Sequence, residues 1–132
     1  MTEIVFLEES KEFNLAIDVI MLAGTLLLQS GSEIYRVEDT MIRIAHSQGI
    51  VDCNALAMPI AIFFSVENTN VSRMKRNLHT NYNIEKVCEV NQLSRQLVDG
   101  KISLGETFER LTYLKTKKLP YNNKELTLAA TI

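Results

Sequence analysis

Apolar residues fill one early stretch of the chain almost without interruption, from Leu15 to Leu28, where only Asp18 and Thr25 are polar. The run is about fourteen residues long, whereas a helix needs about twenty to cross a bilayer. We therefore predict a buried core helix rather than a membrane span. Because the run is so uniformly apolar, we expect this helix to be the most buried element of the fold.

The polar segment that follows predicts the end of that helix and the start of a second one. Gly31 permits the backbone to turn, and Ser30 with Glu33 matches the S-x-x-E pattern of a capping box. At 100° per residue the second helix has one apolar face, formed by Ile34, Val37, Met41, Ile44 and Ala45. A polar stripe borders this face and is expected to be half-buried; its members are Glu33, Arg36, Thr40, Arg43 and Ser47.

The central segment predicts a β-hairpin. β-branched and aromatic residues crowd the stretch that ends at Val66, which is typical of a strand. Pro59 has no N–H to donate to a ladder, so it belongs at the start of this strand, on an edge or at a bulge. Residues 67–70 form a turn, and Val71 to Leu78 forms the return strand, with at least one solvated face.

A third helix is predicted from the N-cap Asn83 to about Val98. Its expected apolar face is interrupted in the middle by Asn91 and Arg95, which are four residues apart and therefore neighbours on a helix. The residues assigned to this face are Ile84, Val87, Cys88, Asn91, Arg95 and Val98.

A fourth helix follows Gly100, which ends the third. Ser103 and Glu106 match a second capping box, and an apolar line follows, formed by Leu104, Phe108, Leu111 and Leu114. The pattern as a whole predicts an α+β fold: a single domain in the order helix-helix-β-hairpin-helix-helix, with the helices packed on a small antiparallel sheet.

Composition limits the classes of partner. With 132 residues, 46% of them hydrophobic, the chain is long enough for one core and predicts one domain. Fourteen Lys and Arg against sixteen Asp and Glu give a formal charge of −2. Because no long block of one charge occurs, the sequence indicates no nucleic-acid partner and no electrostatic partner.

The cysteines and histidines do not match a known site pattern. Cys53 and Cys88 fit neither a metal spacing nor a disulfide framework, so we expect two reduced thiols in a reducing compartment. His46 and His79 have no neighbouring ligand residues. We therefore predict no metal site.

The sequence predicts no catalytic residues and no cofactor. It has no Gly-rich phosphate loop and no nucleophile elbow. Ser65, His46 and Asp52 would complete a triad on paper, but such coincidences are common in a chain with many serines.

The end of the chain turns apolar again from Leu126 to Ile132. Two interpretations are open: a short C-terminal helix that docks on the core, or the beginning of a longer hydrophobic segment.

Several separated blocks of the chain, in order, resemble the soluble N-terminal domain of the threonine/serine exporter family. The blocks are SGSE at 30–33, YRVE at 35–38, Thr40, PIAIFFS at 59–65, NIEKV at 83–87, VNQLSR at 90–95 and GKISL at 100–104. The chain departs from the family at Ser32, where Ala is usual, and at Ile60, where Thr is frequent. The second departure removes a hydroxyl, which weakens any solute contact at the start of the strand.

The resemblance implies a function in export. Members of the family move threonine, serine or related small carboxylates out of the cell. By this resemblance residues 1–125 are a cytoplasmic domain at the cell membrane, and residues 126–132 begin the first membrane helix. The expected partners are the transmembrane helices of the same or a partner polypeptide and a small amino-acid solute, with a homo-oligomer as a further possibility.

Six polar residues are the candidate substrate-binding or coupling site: Glu33, Arg36, Glu38, Thr40, Asn91 and Arg95. Arginine can pair a carboxylate bidentately and glutamate can accept from an ammonium, so the set suits a zwitterion. The same residues could instead lock two helices together. In either case we expect Glu33 and Arg36 to lie within reach of Asn91 or Arg95.

Three functions are compatible with the sequence. The first is a non-catalytic gating, coupling or assembly domain of the exporter. The second is a hydrolase-like domain that acts on a small peptide or amide. The third is a scaffold in which the exposed hairpin edge pairs between protomers.

Overall fold

The computed structural model describes residues 10–116, and this part of the chain is an α+β domain. Its elements are, in order, α1 (Lys11–Gln29), α2 (Ile34–Ser47), β1 (Cys53–Met58), β2 (Ala61–Val66), β3 (Ser72–Arg76), α3 (Ile84–Val98) and α4 (Leu104–Thr116). The predicted fold class and the order of helices around the sheet are confirmed. The predicted segment 126–132 lies outside the described residues.

The first helix, α1, is the centre of the domain. Its N-cap is Ser10, whose Oγ accepts a hydrogen bond from the Phe13 N–H. Eleven of its nineteen residues are buried, and α1 contacts the other three helices and strands β2 and β3. By length and composition α1 could cross a membrane, but 61% of that apolar window is buried inside the domain. The predicted core helix is therefore confirmed.

The turn after α1 differs from the prediction. Ser30 is the C-cap of α1, and the N-cap of α2 is Glu33, whose side chain makes no capping hydrogen bond. Gly31 adopts a left-handed φ of 90°, and the Ser32 N–H donates to the Leu27 carbonyl, 2.9 Å away. This Schellman turn needs Ser30 to end one helix, so Ser30 is not available to cap the next, and the predicted capping box is wrong.

The sheet contains three antiparallel strands in the order β1-β2-β3. The predicted hairpin is the β2–β3 pair, and β1 is an additional strand that the sequence did not predict. Pro59 lies in the two-residue turn between β1 and β2, immediately before the predicted strand. The return strand ends at Arg76 rather than at Leu78.

The helices cover one face of the sheet, from which Ile62 and Phe64 point into the core. Gly24 on α1 allows the closest approach: a Cβ at this position would lie 2.6 Å from the Met41 Sδ and 3.2 Å from the Ile62 Cδ1. A side chain there would overpack the core, which typically costs about 1–3 kcal/mol.

The caps of the last two helices follow the sequence. The Asn83 Oδ1 accepts from the Lys86 N–H, and the Ser103 Oγ accepts from the Glu106 N–H. The Glu106 carboxylate does not complete a capping box; it pairs instead with Arg110, at 2.6 Å.

The buried face of α3 is rotated from the predicted one. The buried residues of α3 are Val87, Val90, Leu93, Ser94 and Leu97. Ile84, Cys88 and Arg95 of the predicted face are exposed. Val90, Leu93 and Leu97 face the core because together they bury more apolar surface than the face containing Asn91 and Arg95 would.

Candidate functional site

Five of the six polar residues predicted as a site lie on α2 and α3, two helices that contact each other, and the sixth, Glu33, is the N-cap of α2. Thr40 is buried, Glu38 and Asn91 are half-buried, and Glu33, Arg36 and Arg95 are exposed. The expectation of a half-buried stripe along α2 is therefore wrong: Thr40 is buried, and the other four members, Arg43 and Ser47 included, are exposed.

The Arg36 side chain packs on its neighbour in sequence. Its guanidinium carbon lies 5.5 Å from the centroid of the Tyr35 ring, which is 60% exposed. Among residues 10–116 no hydrogen bond or ion pair joins Glu33 or Arg36 to Asn91 or Arg95. These side chains therefore form no polar lock between the helices, and solute contact by them stays a prediction.

Glu38 has a defined role in the fold. Its Oε2 accepts a hydrogen bond of 2.8 Å from the backbone N–H of Ala57 in β1. β1 is an edge strand, and α2 packs against it. The carboxylate therefore satisfies an amide that has no strand partner, which is one way in which proteins protect a sheet edge.

The open face of the sheet carries an exposed apolar row that sequence reasoning missed. Leu56 pairs with Phe63, and Phe63 pairs with Met74, so the three side chains lie side by side across β1, β2 and β3. Their exposed fractions are 51%, 37% and 54%. The sequence offered one signal for this row, since Met74 alternates with charged neighbours in a predicted strand. Leu56 could not be assigned to the row because it lies in β1, the strand that was not predicted.

Polar side chains flank the apolar row on the same face. The Asn54 amide nitrogen donates to the Ser65 hydroxyl at 3.4 Å and to the Glu67 carboxylate at 2.5 Å. Ser72 of β3 pairs with Ser65 of β2 and continues this polar border. An apolar strip bordered by polar groups on an uncovered sheet face is typical of a contact surface.

A cavity of about 340 Å³ lies between the first turn of α1, the α2–β1 connection and the β2–β3 turn. Phe13 and Ile50 provide apolar walls, and Glu12, Asp52 and Glu67 are its charged lining residues. No Lys, Arg or member of the predicted polar set lines this cavity among the described residues. It offers carboxylates for an ammonium, but no cationic side chain for the carboxylate of an amino acid.

Both cysteines are free thiols. Cys53 is half-buried, and its Sγ donates to the Ile50 carbonyl at 3.6 Å. Burial, and to a smaller extent the nearby Asp52 carboxylate, raise the pKa of the Cys53 thiol. Cys88 is exposed on α3. Within residues 10–116 no group of three or more His, Cys, Asp or Glu residues could hold a metal ion.

Comparison with known proteins identifies the family. No curated protein and no solved structure matches the chain. The family model described as "Putative threonine/serine exporter" (ThrE) matches residues 18–132. This match begins within α1, includes the sheet and the last two helices, and covers most of the chain. The chain therefore belongs to the ThrE family of threonine/serine exporters.

Proposed function

We propose that this chain supplies the cytoplasmic gating, coupling or assembly domain of a membrane exporter for threonine, serine or similar small amino acids. Membership of the ThrE family implies involvement in threonine/serine export. The finer role is inferred from which surfaces the domain buries and which it leaves open.

The burial of α1 supports a role outside the bilayer. α1 is the one helix among residues 10–116 with the length and composition of a membrane span, and it forms the core. Exposing it to lipid would remove the core from the domain. The described residues therefore contribute to export through contacts with other parts of the exporter.

The row Leu56–Phe63–Met74 is the observation that carries this proposal. The helices cover the opposite face of the sheet, and nothing in the described domain covers this row. Removing exposed apolar surface from water favours association by about 25 cal/mol per Å², before the entropic cost of association is subtracted. The open face is therefore our candidate for docking on the membrane part of the exporter.

The sheet edges are less suited to assembly. The free edge of β1 is covered by α2 and by the Glu38 carboxylate. In an antiparallel pair of two β3 strands centred on Met74, Arg73 would lie opposite Lys75 of the second copy. Like charges directly opposite each other destabilise strand pairing, so edge-to-edge scaffolding is disfavoured.

No specific observation favours the hydrolase-like alternative. The Ser65 hydroxyl accepts from Asn54, and His46 is exposed with no hydrogen bond to Ser65. A serine nucleophile needs a base within hydrogen-bonding reach.

Threonine efflux from cells that produce the exporter tests the proposal. We expect Leu56→Ser and Met74→Ser to reduce efflux with only a small loss in the thermal midpoint of the purified chain, because both side chains are about half exposed. Val51→Ser is the matched control, since Val51 is 69% exposed but lies outside the open face. Normal efflux in correctly folded, normally produced Leu56→Ser and Met74→Ser variants would refute a docking role for this face.

A further inference from the structure

The connection between β3 and α3, residues 77–83, is fixed at both ends. At its start the Asn77 N–H donates to the Ile60 carbonyl at 2.7 Å, and the Asn77 side-chain amide donates to the Pro59 carbonyl and to the Thr80 hydroxyl, both at 3.0 Å. These bonds attach the connection to the β1–β2 turn. Asn77 is buried although it lies in a loop.

At its other end the connection pairs with the end of α1. The Asn81 N–H donates to the Gln29 carbonyl at 2.8 Å, and the Asn83 N–H donates to the Ser30 carbonyl at 3.0 Å. The Tyr82 ring between them packs against Gly31: a Cβ on Gly31 would lie 2.8 Å from the Tyr82 Cε1. The backbone of this connection is therefore held in one conformation.

This fixed connection presents large apolar side chains to solvent. Leu78 is 75% exposed, Tyr82 83% and Ile84 74%, and Ile60 in the attached β1–β2 turn is 66% exposed. Single exposed apolar residues need no explanation. Four exposed apolar residues in one hydrogen-bonded region, each more than half exposed, indicate a surface that contacts an apolar partner.

Cations accompany these apolar residues. A groove of about 580 Å³ next to Leu78 is lined by Lys75, Arg76 and Lys86, together with His79. No Asp or Glu lines this groove among the described residues, although the whole chain has a charge of −2. The net charge of the chain predicted no electrostatic partner because it averages over the whole surface, whereas the fold brings these cations together in one groove.

We infer that this surface, which we call the loop-end surface (Ile60, Leu78, Tyr82 and Ile84 with Lys75, Arg76, His79 and Lys86), binds the anionic headgroup region of a phospholipid bilayer. Each cation near an anionic membrane strengthens binding about fivefold, so Lys75 and Arg76 together give about 25-fold. Aliphatic side chains can enter the acyl boundary, and tyrosine is favoured at the interface itself. The inference does not depend on the proposed docking role of the open face.

The apolar side chains favour a bilayer over an acidic protein as the partner. At a protein interface the apolar contacts form a continuous centre inside a polar rim. Here each of the four apolar side chains is more than half exposed, and Leu78 lines the same groove as Lys75 and Arg76. This combination of apolar and cationic groups matches the layered chemistry of a membrane surface.

Co-sedimentation of the full chain with vesicles tests the inference. We expect stronger binding to vesicles containing about one-third phosphatidylglycerol than to pure phosphatidylcholine, and weaker binding as salt increases. Lys75→Gln with Arg76→Gln should lower binding to the anionic vesicles about 25-fold. The matched control is Lys101→Gln with Lys115→Gln, two exposed cations outside the surface, for which we expect binding close to that of the wild type.

A second pair of variants tests the apolar contribution. Leu78→Ser should weaken binding to anionic vesicles severalfold at unchanged charge, whereas Val51→Ser should not. Because every variant keeps the same residues 1–9 and 117–132, binding through those segments would cancel in the comparison. Leu56→Ser on the open face should leave vesicle binding intact, which separates this inference from the proposed function.

Any one of four outcomes would overturn the inference. The first is equal binding to neutral and anionic vesicles, and the second is equal loss in the Lys75/Arg76 and Lys101/Lys115 variants. The third is displacement of the bound protein by millimolar soluble glycerophosphate, which would indicate a discrete phosphate site. The fourth is binding to polyglutamate without binding to vesicles, which would indicate an acidic protein partner.

Discussion

Replacing Glu38 tests how α2 completes the sheet. The Glu38 Oε2 accepts a 2.8 Å hydrogen bond from the Ala57 N–H, and Ala57 is only 4% exposed. Glu38→Ala removes the acceptor and leaves a buried donor on an edge strand. Glu38→Gln keeps an oxygen at the same position but removes its charge.

The expected loss follows from the burial of the donor. A buried N–H without a partner costs about 1–3 kcal/mol, so Glu38→Ala should lower the free energy of unfolding by about 2 kcal/mol. For a domain of this size, that loss lowers Tm by about 8 °C. Glu38→Gln should cost about 1 kcal/mol because a neutral hydrogen bond remains.

Asp39→Ala is the matched control. Asp39 pairs with Arg43 at 2.7 Å, but the two side chains are 56% and 71% exposed. An exposed pair of this kind contributes about 0.5 kcal/mol or less. Urea denaturation gives the three free energies, and amide hydrogen exchange of Ala57 reports the affected bond directly. If Glu38→Ala and Asp39→Ala have equal stability, or if Ala57 exchange is unchanged, the carboxylate does not protect the edge.

Two further experiments test the turn at Gly31 and the surroundings of the two cysteines. Gly31→Ala should destabilise the domain by about 2–3 kcal/mol, because alanine is strained at φ 90° and its Cβ would overlap Tyr82. Gly100→Ala is the control: its φ is 76° but its Cβ would meet open space, so only backbone strain of about 1 kcal/mol is expected. Equal losses of unfolding free energy in the two variants would exclude a contribution from the Tyr82 ring. Iodoacetamide should alkylate Cys88 faster than Cys53, which is half-buried and whose pKa is raised. Faster alkylation of Cys53 than of Cys88 in the folded protein would contradict this order. Because the pKa of Cys53 is raised in the folded protein, its contribution to stability is complete below the ordinary pKa of 9.0 and is lost as the pH rises above that value.

Sequence reasoning was most successful where the determining interactions are local. The caps at Asn83 and Ser103 are confirmed because each side chain bonds an amide three residues along the chain. The turn at residues 67–70 is confirmed for the same reason. At Ser30 two local patterns competed, and the Schellman turn through Gly31 determined the structure.

The candidate site was less predictable because its geometry depends on distant neighbours. The sequence drew attention to Glu38, but only the fold brings the Ala57 amide of β1 within 2.8 Å of it. Glu33 and Arg36 were expected to lie within reach of Asn91 or Arg95. Packing of Val90 and Leu97 rotated α3, and both arginines are exposed.

The sequence by itself determined the core helix, the order of helices around a hairpin, and the family to which the chain belongs. These follow from apolar periodicity and from blocks of residues that are read along the chain. The tertiary structure alone decided that residues 53–58 form a third strand, that Leu56, Phe63 and Met74 line up across the open face, and that the cations near Leu78 share one groove. The physical reason is that strand pairing and surface clustering join residues far apart in sequence, which local preferences cannot specify.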